Sequence, residues 1–172
     1  MNRPRYTIRS ACVIGSGVMG AQIAAHLANA GLNVLLLDIV PDKLSEAEMR
    51  RGLTLASSEV RNRLALDALK RLGEMQPAPL YDTAFLSRIR VGNTEDDLPL
   101  LREADWIIEA VTEKLDVKKQ VLSRIEAWRR ADAIVSTNTS GISIHEMSSH
   151  LSESFREHFL GTHFFNPPRY MK

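Results

Sequence analysis

The chain is short of cysteine, of net charge and of long apolar runs, and each shortage closes off a class of protein. One cysteine, Cys12, among 172 residues excludes an intrachain disulfide and a cysteine-rich zinc site. It fits a reducing compartment, so a cytoplasmic location is expected. Cys12 lies in the apolar run Ala11-Cys12-Val13-Ile14 and reads as a small core residue, not a reactive thiol. Lys and Arg total 22 against 21 Asp and Glu, a net charge of +1, so no global field draws the chain onto nucleic acid or an anionic membrane. No uncharged apolar stretch approaches the roughly 20 residues of a membrane span. The basic start MNRPRYTIRS has no apolar segment after it of the kind a secretory signal needs, because Gly15 to Gly20 interrupts the run. Internal repeats and low-complexity segments are absent. There is no G-x-S-x-G elbow for a serine hydrolase. The stretch His145-Glu146-Met147-Ser148-Ser149-His150 misses the zinc-protease pattern, since Ser149 stands where the second histidine belongs. Five residues on a helix turn through about 500°, so His145 and His150 read as surface residues and no metal site is expected.

What is present is ordinary in amount: 44% hydrophobic and 25% charged residues, enough for one soluble domain. Strand-like and helix-like runs alternate along the chain, the mark of an α/β fold with a mainly parallel sheet. Six strands are expected, at Ser10 to Ile14, Asn33 to Leu37, Ile89 to Val91, Asp105 to Val111, Ala133 to Thr137 and Gly161 to Phe165. That count suits a doubly wound, Rossmann-type nucleotide-binding sheet. Helices are expected over Val18 to Ala30 and Lys114 to Arg129, with short ones near Ser143 to Ser148 and Glu153 to His158. A long helical segment from Pro41 to about Leu72 keeps helical spacing at Leu53, Ala56, Val60 and Leu64, is too long for one globular helix, and predicts a bend or hairpin. Its many charges, among them Lys43, Arg50, Arg61 and Arg63, suit either a solvated face or a grip on a phosphorylated ligand.

The sharpest local signal is Gly15-Ser16-Gly17-Val18-Met19-Gly20, which follows an apolar strand and opens a helix. An acidic residue, Asp38, ends the second strand about 20 residues on, completing a dinucleotide-binding pattern. Gly15 permits the tight turn, Gly17 the approach of the pyrophosphate, and Gly20 close packing of helix on strand. Asp38 would accept hydrogen bonds from the adenosine ribose and repel a 2′-phosphate. Ile39, Val40 and Pro41 follow it with no arginine, so NAD is expected in preference to NADP.

Ligands of open α/β sheets bind beyond the carboxyl ends of the strands. The polar residues expected there are Glu113 and Lys118 after the fourth strand, Asn138, Thr139 and Ser140 after the fifth, and His163 and Asn166 on or after the sixth. Oxidising an alcohol with a nicotinamide cofactor needs a base for the hydroxyl proton, and histidine titrates near the working pH. His163 is the candidate base, Ser140 a donor to the reacting oxygen, and Asn166 either a contact to substrate or nicotinamide or simply part of a turn.

Over nearly its whole length the chain resembles the NAD-binding domain of the L-3-hydroxyacyl-CoA dehydrogenases of fatty acid β-oxidation. The blocks that carry this are VIGSGVMGAQIAAHLANAGLNVLLLD, ADWIIEAVTEKLDVKK, STNTSGIS and GTHFFNPPRYMK, the last two being the most specific. QPAPLYDTAFL and NPPRYMK look most like the long multifunctional bacterial forms. The resemblance implies a catalytic His163, an active-site Ser140 and Asn166, nicotinamide-ribose contacts at Glu113 and Lys118, and an adenosine-ribose acid at Asp38. It implies an acyl-CoA substrate, with Arg61 and Arg63 as candidates for coenzyme A contacts. Members of that family continue beyond the equivalent of Lys172 into a glutamate that orients the histidine and a helical domain that closes the site and dimerises. Residues 1–172 are therefore expected to form the NAD-binding domain alone, binding NAD with little or no turnover, with a homodimer or multifunctional complex expected only for the full-length protein. The competing expectation is a non-catalytic NAD-binding or sensing module. It would share the glycine loop and Asp38 but has no use for His163, Ser140 and Asn166 together.

Overall fold

A computed structural model describes residues 7–171. Six parallel strands form one sheet: β1 (Ser10–Ile14), β2 (Asn33–Asp38), β3 (Ile89–Asn93), β4 (Trp106–Glu109), β5 (Ile134–Thr137) and β6 (Phe159–Gly161), in the order β3-β2-β1-β4-β5-β6. The order reverses between β1 and β4, where crossovers leave in opposite directions and a crevice opens. Ile14 stands opposite both Leu37 and Glu109, so the ends of three central strands are level at that crevice.

Burial on both faces explains why β1 reads as an unbroken apolar run. Ala11 and Val13 point into one layer, packed under α1 (Val18–Asn29) and the later helix α4 (Arg63–Glu74). Cys12 and Ile14 point into the other, with α5 (Leu115–Trp128) and the short helices α6 (Ile144–Ser148) and α7 (Glu153–Arg156). Cys12 is fully buried, which pushes its thiol pKa up and makes it the inert core residue expected. Among the described residues, no helix is long and apolar enough to cross a membrane.

The expected doubly wound sheet is observed, with two corrections. The segment after β2 is neither a bent helix nor a two-helix hairpin but three helices, α2 (Glu46–Arg50), α3 (Ser58–Arg61) and α4. Gly52, at φ +69°, ends α2: its N–H donates to Met49 O at 3.0 Å and that of Leu53 to Glu48 O at 3.0 Å, the Schellman arrangement. Leu53 and Ala56 keep helical spacing across a stretch that is not helical. The second correction concerns β6, which ends at Gly161, so His163 lies beyond the strand. Its partner β5 ends at Thr137, which takes the last ladder bond from Thr162 N at 3.0 Å. The next inward-facing residue, Phe164, instead donates its N–H to the side chain of Asn138 at 2.8 Å. At the other end of the sheet, Asp105 ties β1 to β4 by accepting from Arg9 N, Ser10 N and Ser10 Oγ at 2.9–3.0 Å.

Candidate functional site

The glycine loop between β1 and α1 is shaped by backbone contacts. A Cβ on Gly20 would lie 1.8 Å from Gly15 O, and one on Gly15, at φ +101°, would lie 2.6 Å from Ala110 O. Those two positions admit no side chain. A Cβ on Gly17 would meet nothing within 4 Å, so the space beside it is open. Gly17 is the N-cap of α1 and no side chain caps it, which leaves the first N–H groups of the helix directed at that space.

Asp38 closes over the loop from the end of β2. Its Oδ2 accepts from Ser16 N at 2.6 Å and Ser16 Oγ at 2.5 Å, and its Oδ1 from Ile39 N at 2.7 Å. Two carboxylate oxygens offer about four acceptor directions, so capacity for ribose hydroxyls remains.

Beyond the loop lies a cleft of about 540 Å³ whose lining includes Gly17, Val18, Met19, Glu113, Lys118, Asn138, Ser140, His163 and Asn166. The structure thus brings together the residues predicted after β4, β5 and β6 with the start of α1. His163 and Ser140 are exposed in it. Extended backbone alternates, so Phe164 turns inward against His26 and Trp106 while His163 and Phe165 face out, their ring centroids 5.1 Å apart. Asn166 adjoins a turn and also reaches the first helix. It precedes the turn in which Tyr170 N donates to Pro167 O at 3.0 Å, and its Oδ1 accepts from Gln22 Nε2 of α1 at 3.1 Å.

Under the cleft is a charge network that the sequence reading missed. Glu109, the last residue of β4, is fully buried, and Lys118 is 1% exposed. Lys118 Nζ donates to Glu109 Oε1 at 2.9 Å and Oε2 at 3.0 Å and lies 3.1 Å from Glu113 Oε2. Glu109 also accepts from Thr137 Oγ1 at 2.5 Å and Val111 N at 2.7 Å. The Lys118 ammonium is therefore committed to protein oxygens, and of the two network members that line the cleft Glu113 is the exposed one. Thr139 Oγ1 and Ser140 N donate to Glu113 at 2.7 and 3.0 Å, binding the loop after β5 to the one after β4. Burial pushes the Glu113 carboxyl up, but these hydrogen bonds and the Lys118 charge outweigh it and hold its pKa below the usual glutamate value. The signal for Glu109 was a carboxylate inside an apolar strand with a lysine nine residues on.

Other candidates fall outside the cleft. Arg61 is paired with Asp96 at 2.6 and 2.7 Å, and Arg63 with Glu48 and Lys43 O, and neither lines the cleft. His145 and His150 are exposed, and His150 Nε2 meets Ser123 Oγ at 3.0 Å. A cavity of about 220 Å³ at the amino ends of β1 and β2 includes Asn33, Arg90 and Glu103 in its lining and none of the predicted site residues.

A doubly wound sheet with a glycine loop at its switch point, an acid ending β2 and an uncapped helix start defines a dinucleotide-binding domain. A family model described as "3-hydroxyacyl-CoA dehydrogenase, NAD binding domain" matches residues 10–172, and the chain belongs to that family. It is 56% identical over 165 residues to a probable 3-hydroxyacyl-CoA dehydrogenase of Bacillus subtilis, a match covering 96% of this chain and 21% of that protein. It is 38% identical to a putative fatty acid oxidation complex trifunctional enzyme of Rickettsia felis, covering 96% of this chain and 21% of that protein. Among solved structures it is similar to 3-hydroxybutyryl-CoA dehydrogenase from Escherichia coli, with a TM-score of 0.66, 31% identity, and coverage of 96% of this chain and 31% of that one. The chain thus spans about a fifth of the length of these two curated relatives.

Proposed function

We propose that this chain is the cofactor-binding and base-carrying part of an enzyme that oxidises (3S)-3-hydroxyacyl-CoA to 3-ketoacyl-CoA in fatty acid β-oxidation. The observation that carries the reading is the convergence of His163, Ser140 and Asn166 on the cleft that opens at the start of α1. Bound NAD would accept the hydride leaving C3 of the substrate. The protein's own work is then proton handling and placement. His163 takes the proton of the 3-hydroxyl, the Ser140 hydroxyl donates to the same oxygen, and Asn166, held by Gln22, fixes the substrate or the nicotinamide side. Glu113 accepts from ribose hydroxyls, with Lys118 beneath it and Glu109 neutralising Lys118. The start of α1 takes the pyrophosphate and Asp38 the adenosine ribose. The substrate is an acyl-CoA, and a homodimer or multifunctional assembly belongs to the longer protein, in keeping with relatives named as fatty acid oxidation complex subunits. Cytoplasmic residence is part of the same reading, resting on a buried, unpaired Cys12.

Among the described residues, the His163 imidazole has no hydrogen-bond partner, and a catalytic histidine needs a group that fixes its tautomer. Residues 1–172 alone should therefore bind NAD, in a calorimetric titration, while reducing acetoacetyl-CoA barely at all; robust reduction would overturn this. In the full-length protein His163→Ala should lower kcat by about 10²- to 10⁴-fold with NAD binding retained. Unchanged turnover would remove His163 as the base and favour a non-catalytic NAD-binding module.

A further inference from the structure

The stretch that carries His163 and Asn166 has left the sheet: the last ladder bond is the one from Thr162 N to Thr137 O. From there on side chains hold it. Its far end is held by Arg169, whose Nη1 donates to Ala78 O at 2.5 Å and to Leu80 O at 2.7 Å. The guanidinium lies 4.4 Å from the ring centre of Tyr81 and 5.0 Å from that of Tyr170, and Tyr170 Oη donates to Ala78 O at 2.9 Å. Among the described residues no carboxylate pairs with Arg169. A cation met by two carbonyls and two rings is held by the shape of its planar fork, and charge alone does not make that contact.

The stretch that Arg169 grips is itself tied to α1. Asn29, the last residue of that helix, donates from Nδ2 to Pro79 O at 2.9 Å and accepts from Tyr81 N at 2.8 Å. Leu80, between them, is buried in the core under α1. On the same helix Gln22 holds Asn166. Gln22 and Asn29 stand about two helical turns apart, or about 10 Å along the axis. One helix thus grips the base-carrying stretch at two points, directly through Gln22 and indirectly through Asn29, residues 78–81 and Arg169. The opposite end of α1 is the helix start that faces the cleft. QPAPLYDTAFL and NPPRYMK, about 90 residues apart in the sequence, meet in this clamp.

We propose that Arg169 is a positioning residue for the dehydrogenase reaction. It touches no reacting atom. By locking the turn after Asn166 to residues 78–81, it fixes Asn166, and through it His163, relative to the helix whose start receives the cofactor. The distance from base to hydride acceptor is then set by a single rigid element. A misplacement of about 1 Å, even from a residue far from the chemistry, can cost about 100-fold in rate. The proposal rests on the reading of His163 as the base and extends it to what holds the base in place.

The test is reduction of acetoacetyl-CoA by the full-length protein with NADH, with the enzyme counted by the NAD sites it titrates in calorimetry. Arg169→Ala should lower kcat per site about 10- to 100-fold while the KM for NADH and the Kd for NAD stay within about twofold of wild type. A merely structural residue would lower the denaturant midpoint and the number of sites, and leave kcat per site as it was. Asn29→Ala breaks the same linkage at its other end, reports on it even if Arg169→Ala folds poorly, and should lower kcat per site roughly fivefold or more. Two links in series fail once, so the double variant should be no slower than the slower single variant. Wild-type kcat per site in either variant, or losses that multiply in the double variant, overturns the assignment. If the wild-type full-length protein does not reduce acetoacetyl-CoA, the dehydrogenase reading itself falls, and the role of Arg169 with it.

Discussion

The two halves of the sheet prepare for a ligand in different ways. At the end of β1 the site is made chiefly of backbone: a helix start with no side-chain cap, and glycines whose missing Cβ atoms leave room for Gly15 O and Ala110 O, with Asp38 of β2 as its one acidic side chain. At the ends of β4, β5 and β6 it is made of side chains standing on a buried ion pair, with Glu109 fully buried and Lys118 1% exposed. The backbone site tolerates no added atom at Gly15 or Gly20. A side-chain site tolerates change at its exposed rim, where His163 and Ser140 stand, but not in the charges beneath. The half that holds the cofactor is thus constrained by space, and the half assigned to chemistry by electrostatics.

That contrast can be broken from either side. The largest effect is expected from Glu109→Ala, which strips the Lys118 ammonium of its buried partner and should cost about 3–5 kcal/mol in denaturant unfolding. Because the damage lies under the β4 and β5 loops, the surviving folded protein should still bind AMP. A cost below about 1 kcal/mol would mean that Glu113 alone neutralises Lys118. Next comes Gly20→Ala, where one methyl meets Gly15 O at 1.8 Å. It should cost about 3 kcal/mol, the upper end for overpacking, and abolish NAD and AMP binding together. Binding of either at wild-type strength would show that the loop can yield.

The smallest effect belongs to Asp105, which stitches β1 to β4 away from both sites. Burial pushes its carboxyl up, but hydrogen bonds from Arg9, Ser10 and Arg130 prevail and bring its pKa down to about 2. A depressed folded-state pKa stabilises above the unfolded value and is lost as pH falls through the folded one. The contribution, roughly 2 kcal/mol, should be complete above about pH 4 and fade toward pH 2, and Asp105→Asn should remove that part of the acid dependence of unfolding. An acid limb identical in wild type and variant would remove Asp105 as its source.

The same division explains how much could be read from the sequence. Glycine spacing, the position of Asp38 and the strand count were legible because each depends on residues close along the chain. The doubly wound class of the sheet, and the expectation that polar residues gather at its carboxyl ends, followed from them. What escaped depends on partners far apart. Glu109 looked like one more strand residue until Lys118 and Thr137 were brought against it, and Asn138 showed no role until its side chain took Phe164 N. Thr94 could not be singled out from sequence, since only the fold shows that its buried hydroxyl has no partner among the described residues. The helical spacing at Leu53 and Ala56 misled because Gly52 ended the helix first.

The stretch after β6 has a consequence for how the protein is made. Asn166 is held by Gln22, 144 residues earlier, Arg169 by Ala78 O and Leu80 O, and Tyr170 Oη by Ala78 O, across 89–92 residues. None of these bonds can form until nearly the whole domain has left the ribosome. The glycine loop draws on β1, α1 and β2, all complete by Asp38. Domains assemble as their chains emerge, and contacts distant in sequence close late. During synthesis the parts of the cofactor loop are therefore on hand long before the residue assigned as its base, and His163 is seated among the last acts of folding.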